Sequence, residues 1–178
     1  LHTELFAEDI RPASWYRGKF PALSPVWESS NVPDLFFVGG AMQGNDRKAA
    51  SGFIHGFRYN IRTLHKILEE RYEGSAYPAE TLTPFDWQSF VDWMYQRFSV
   101  SAGLFQLFGV LCDTLVISED LKSATRRLEL PFEHARSLDY GSQHVLFLTL
   151  KFGFEKFAEP AISFMGPSDP SDTQCASF

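Results

Sequence analysis

One stretch of the chain limits its fold more than any other. Phe53, Phe57, Ile61, Leu64 and Leu68 recur at steps of four, four, three and four. That spacing is one face of a helix with 3.6 residues per turn and predicts a helix over 48–72. Just upstream, Leu35-Phe36-Phe37-Val38 is a short continuous apolar run closed by Gly39-Gly40. The run predicts a strand buried on both faces, and Gly44-Asn45-Asp46 is turn chemistry between strand and helix. Arg58, Arg62 and Lys66 form a second stripe on the helix, within a window (47–71) holding six basic and two acidic residues. The stripe reads either as a solvated basic face or as a helix set near an anionic ligand.

Length and composition organise the rest. The chain has 178 residues, 44% of them hydrophobic, enough for a packed core and too many for a chain disordered as a whole. Pro12, Pro21, Pro25 and Pro33 punctuate residues 1–34, which predicts extended pieces and turns. Thr83-Pro84-Phe85-Asp86 resembles a capping box, with Thr83 as N-cap and Pro84 at the first helical position. Trp87, Phe90, Val91, Met94 and Phe98 follow as the apolar stripe of that second helix. Residues 104–117 are apolar almost all round: a buried helix, or a helix passing into a strand. A short amphipathic helix is predicted over 123–130 and a strand over 143–152. The expected fold class is α/β, divided into 1–72, a linker at 73–83, an appended α+β extension at 84–160 and a polar tail at 161–178 expected to be disordered.

Several chemistries are excluded by pattern. A net charge of −6 argues against a dedicated nucleic-acid binder. The cysteines, at 112 and 175, are too far apart for a CxxC pair. Histidines 2, 55, 65, 134 and 144 show no HExxH spacing, so no metal site is expected. No apolar run approaches the roughly 20 residues of a membrane-spanning helix. The first ten residues have no basic leader or apolar core of a targeting peptide. Leu1 in place of Met and the polar end lead us to expect a processed chain or a fragment. Gly39 and Gly44 have Walker spacing, but Asn45-Asp46 stands where Lys-Ser/Thr belongs, and the run is not GxGxxG. Ala50-Ser51-Gly52 is not a nucleophile elbow. What survives is a glycine loop leading into a helix N-terminus, whose unpaired amides suit phosphate or the negative locus of a reduced flavin. The candidate ligand residues are Gly39 and Gly40 for close approach, Asp46, the amides of Ser51, Gly52 and Phe53, and His55. Asp46 is a cap or a hydroxyl-binding ligand; His55 is a structural histidine or a ligand neighbour.

Phe20-Pro21-Ala22-Leu23, Trp27-Glu28-Ser29 and the run from Val32 to Gly39 resemble the closing strands of flavoprotein monooxygenases and related FAD/NAD(P)-dependent oxidoreductases. More specifically, Gly52-Phe53-Ile54-His55-Gly56-Phe57-Arg58-Tyr59, with the run from Ser101 to Leu111, resembles the FAD-dependent oxidoreductase domain-containing protein 2 family. The resemblance implies the closing strand–loop–helix of a Rossmann-type FAD/NAD(P)-binding domain followed by the extension. It also implies an FAD cofactor, with NADPH as a further candidate, a flavin monooxygenase-like redox activity and a place in endoplasmic-reticulum-associated degradation. The lumen of that organelle is the implied location. The implied partners are an N-terminal FAD-binding half absent from this chain and misfolded or quality-control proteins. This segment alone is not expected to turn over. Two rival readings are a flavin-stabilised adaptor that binds partners through the aromatic-rich extension, and an interaction domain without flavin. Where many relatives place an Asp after the strand's glycine to hold the ribityl chain, this sequence has Gly40, and the nearest acid is Asp46.

Overall fold

The computed structural model describes residues 2–46 and 48–151, with the strand residues Ile162–Met165 and Ala176–Ser177. The N-terminal segment forms a small hairpin of β1 (Ser14–Trp15) and β2 (Phe20–Pro21). Two isolated bridges, Leu23 to Ser29 and Glu28 to Phe36, continue it. The predicted strand at 35–38 is not one. The run stays extended and lends single bonds, Ser29 N to Leu35 O (2.7 Å) and Phe37 N to Trp27 O (3.0 Å). A strand apolar on both faces needs packed layers on both sides. Here Val38 is 57% exposed.

The long helix α1 is Ile54–Glu73, ended by Gly74 in the left-handed region at φ +68°. Its buried face is turned from the predicted stripe: Gly56, Tyr59, Asn60, Thr63, Leu64 and Ile67 point inward, while Phe53, just before it, and Ile61 are exposed. Asn60 and Thr63 bond Ser51 Oγ (3.0 Å) and Glu129 O (2.8 Å), so polar groups sit where hydrophobic periodicity finds nothing to count.

The main sheet is antiparallel. Its strands are β3 (Ala79–Leu82), β4 (Leu111–Ile117), β5 (Ala124–Pro131), β6 (His144–Leu148), β7 (Ile162–Met165) and β8 (Ala176–Ser177). They lie in the order β3-β5-β4-β6-β7-β8. Strand β3 falls within the segment read as a linker, and β7 and β8 within the segment read as a polar tail. The helix predicted over 123–130 is instead β5. A tight turn closed by Ser118 N to Ser123 O (3.0 Å) delivers it against β4, and ladders on both edges outweigh the helix preference of Arg, Leu and Glu. The 104–117 segment takes the mixed form, α3 (Ala102–Gln106) passing into β4. Residues beyond Lys151 in the strand predicted over 143–152 lie outside those described.

Period-two alternation places helices on both faces. Cys112 and Val116 of β4 pack with Ile67 of α1, Phe147 of β6 and Ala135 of α4 (Phe132–Ser137). Leu115 and Ile117 pack with Leu146 and with Phe90 of α2 (Trp87–Val100). Helix α2 starts later than the Thr83-Pro84 signal. The Phe85 amide is held by Lys122 O (2.8 Å), and Asp86 is the cap, accepting from Ser89 N (2.8 Å).

A β-bulge joins these layers. The β4–β5 register shifts between Cys112 and Thr114, and Glu129 takes φ +61°. The fully buried Asp113 accepts the Glu129 amide (2.8 Å) and two guanidinium bonds from Arg97 of α2 (2.7 and 3.2 Å). Arg62 of α1 pairs with the Glu129 carboxylate. Burial pushes the Asp113 carboxyl above its usual range, and Arg97 draws it back. Arg97→Met, leaving Asp113 uncompensated, is expected to cost about 3–5 kcal/mol in urea unfolding.

At the other end of α1, Arg71 donates to Glu28 (2.7 and 3.3 Å), and the Asp34 amide adds a bond (2.8 Å). The Arg71 bond, with the Asp34 amide, holds the Glu28 carboxyl below its usual value. A depressed folded value stabilises above the unfolded value and stops doing so as pH falls through the folded one. Glu28→Gln should therefore lower the urea midpoint near neutral pH, and the gap from the parent should narrow as pH falls below the ordinary glutamate value and close below the depressed folded one.

Candidate functional site

The glycine loop is more structured than its sequence suggests. Residues Gly39–Gly44 wind into a 3-10 helix whose Met42 is fully buried against Trp27, Tyr59 and Leu64. Asp46, only 6% exposed, accepts the amides of Lys48 (2.9 Å), Ala49 (2.7 Å) and Ser51 (3.2 Å). Ala50 N donates to Gln106 O at 3.0 Å. The helix expected from 48 instead begins at Ile54: residues 48–53 form a turn whose amides bond Asp46 and Gln106, and Phe53 N meets Ala50 O (3.0 Å) at its end. Gly56 lets the loop press on the helix, because a Cβ there would lie 2.0 Å from Ala50 O.

An open cleft of about 490 Å³ lies where this loop meets α3 and the end of β6. Lys48, Ala49, Ala50, Phe53 and His55 form one wall; Phe105, Gln106, Phe108, Leu150 and Lys151 form the other. The Phe53 and His55 rings stack with centroids 5.5 Å apart and planes 6° from parallel. Phe53 is 60% and Phe105 66% exposed.

The sequence-predicted residues thus divide by position. Phe53 and His55 line the cleft, while Asp46 and Ser51 are buried supports of its wall. Gly52 lies beneath the Gln43 side chain, 2.7 Å from where its Cβ would be. Gly39, at φ +70°, and Gly40 open the 3-10 helix; a Cβ on Gly39 would meet nothing within 4 Å, and one on Gly40 only Gly52 O at 3.7 Å. The α3 wall was missed as a site element, although the Ser101 hydroxyl, which caps α3 at Leu104 N (3.2 Å), was a readable start signal. The basic stripe of α1 is engaged within the fold. Arg58 donates to Tyr59 Oη (2.8 Å), Arg62 pairs with Glu129, and Lys66 lies 5.3 Å from the Tyr77 ring centroid, its pKa lowered by burial.

Comparison with known proteins finds two relatives of one description. The chain is 38% identical over 116 residues to FAD-dependent oxidoreductase domain-containing protein 2 of Danio rerio, 64% of this chain and 16% of that protein. It is 30% identical over 164 residues to the Mus musculus protein of the same name, 88% of this chain and 24% of that one. The match therefore spans a quarter or less of each relative's length. No family model matches, and no solved structure matches significantly.

Because both Asp46 oxygens accept amides, an amide side chain would turn a donor toward a donor. Asp46→Asn is expected to lower stability by about 1–3 kcal/mol in urea unfolding, even without any ligand.

Proposed function

We propose that this chain, a homologue of FAD-dependent oxidoreductase domain-containing protein 2, forms one wall of a flavin site completed by portions of the parent protein outside it. The observation that carries the reading is the open Gly39–Gly40 backbone, next to the start of α1 and the stacked Phe53–His55 pair. The residues fit a flavin: a parallel aromatic pair, glycines that admit close approach, and a cleft with no acid among its described lining residues in a chain of net charge −6. When bound, FAD supplies the redox chemistry. This chain's part is to hold and shield it, with Gly39 and Gly40 at the contact and Asp46 and Ser51 fixing the loop behind them. On this reading the fold is the closing part of a Rossmann-type domain with its extension, and the activity is flavin monooxygenase-like. NADPH as reductant, the endoplasmic-reticulum lumen and degradation of misfolded glycoproteins also belong to it, and rest on the resemblance alone.

Exposed apolar residues, Phe53 and Phe105 in the cleft and Val38 and Ile54 elsewhere, favour a second reading, a flavin-stabilised adaptor that docks a partner. Bleaching of flavin absorbance by NADPH in the full-length protein separates the two: an enzyme bleaches and reoxidises, an adaptor does not.

Gly40 gives a direct test. Its φ is not in the left-handed region and its Cβ position is free, so the fold tolerates a side chain there. In the full-length protein, Gly40→Val should leave the unfolding midpoint unchanged and weaken FAD retention about tenfold or more, the equivalent of roughly 1.4 kcal/mol. Unchanged FAD retention would remove Gly40 from the flavin surface.

A further inference from the structure

The run Leu35–Val38 carries four consecutive apolar residues, the pattern of a strand covered on both faces. Among the described residues it is bonded along one edge only. The bridge between Glu28 and Phe36 turns Leu35 O and the Phe37 amide toward residues 27–29. In an antiparallel pair the residue between them points its own N–H and C=O the other way. The outward groups are therefore the Phe36 amide and carbonyl and, two residues on, the Val38 amide. None of the three has a backbone bond among the described residues. The space there is open: Val38 is 57% exposed, and a Cβ on Gly39, the next residue, would meet nothing within 4 Å. The run is nonetheless held in place, because Phe36 packs against the core cluster of Trp27 and Tyr59, and the Phe37 ring lies 6.5 Å from that of Phe6.

The edge is also unguarded. A strand edge that stays single is blunted by charge, proline or a bulge. Strand β3, at one edge of the main sheet, carries the charge of Glu80, which pairs with Arg126. Leu35–Val38 carries neither charge nor proline, and two glycines follow it. We propose that this edge receives a β-strand from a part of the parent protein outside the 178-residue chain, so that Leu35–Val38 becomes an interior strand. The inference rests on the flavin-site reading in one respect, that the rest of the parent meets this chain beside Gly39 and Gly40. The two relatives are long enough to supply the strand, since the matches span 16% and 24% of their lengths. Strand addition draws its affinity from main-chain bonds, which the outward Phe36 and Val38 groups offer, and its packing from alternate side chains, which are apolar here.

Hydrogen exchange of the full-length protein, resolved to single amides, tests the assignment without any substitution. Pairing on both edges should protect Phe36, Phe37 and Val38 alike, each about a hundredfold or more over an unstructured chain. Protection of Phe36 and Val38 below that level, whatever Phe37 shows, overturns the proposal. An alternating pattern, with only the Phe37 amide slow through its 3.0 Å bond to Trp27 O, is the signature of an open edge. Diluting the protein about a hundredfold should leave the protection unchanged, since pairing within one chain does not depend on concentration. Protection lost on dilution gives the edge to a second copy and overturns the parent strand as its occupant. The FAD content of the same sample separates this inference from the flavin reading. Slow Phe36 and Val38 amides in a protein that holds no FAD would refute the flavin site and leave the added strand standing. Fast amides in a protein that retains FAD would do the reverse.

Discussion

The buried pairing of Asp113 with Arg97, at the bulge that also carries Glu129, is the interaction on which the other elements rely. An ionised carboxylate with no exposed surface is costly unless it is fully hydrogen-bonded. Asp113 meets that demand with two bonds from Arg97 and one from the Glu129 amide. Each partner belongs to a different element, so satisfying one charge fixes α2 against β4 and the bulge of β5. Glu129 then carries the connection on to Arg62 and Thr63 of α1. It also sets the path of α3, because a Cβ on Gly103 would lie 2.5 Å from the Glu129 carboxylate. The wall of the cleft that holds Phe105 and Phe108 is seated on this carboxylate.

How much of this was legible in the sequence depended on the range of the forces involved. Helix α1 was readable because periodicity and its glycine stop are local. Its facing was not, because Asn60 and Thr63 are buried through bonds to residues 9 and 66 positions away. The 123–130 segment has helix-favouring residues, and only the ladders to β3 and β4, from distant parts of the chain, make it a strand. The 35–38 run shows the reverse: its residues favour a strand, but among the described residues it finds no more than single bonds to the bridge region.

In the site, sequence pointed to the correct loop and missed the opposite wall. Glycines, an acid and a helix start cluster within 39–55 and announce a backbone turned toward something. Phe105, Gln106 and Phe108 reach the same place through the Ala50 N to Gln106 O bond and the packing of Leu104 and Leu107 against Tyr59 and Leu64, which no spacing rule encodes. Asp46 shows why a lone acid in a glycine loop is ambiguous on paper. Its partners are three amides within five residues, and that geometry exists only once the loop has folded on Gly56.

One core cluster joins the N-terminal segment to the sheet: Trp27 and Met42 from that segment, Tyr59 and Leu64 from α1, Leu104 from α3, Leu107 just after it, and Leu111 at the start of β4. A recombination breakpoint between 73 and 83 would strip each side of half its neighbours and expose tryptophan, methionine and leucine side chains together. The glycine loop and the sheet that follows it are therefore bound to travel through evolution as one inherited piece. Changes in the loop's wall of the cleft have to be answered by changes in the wall provided by α3, within the same gene segment.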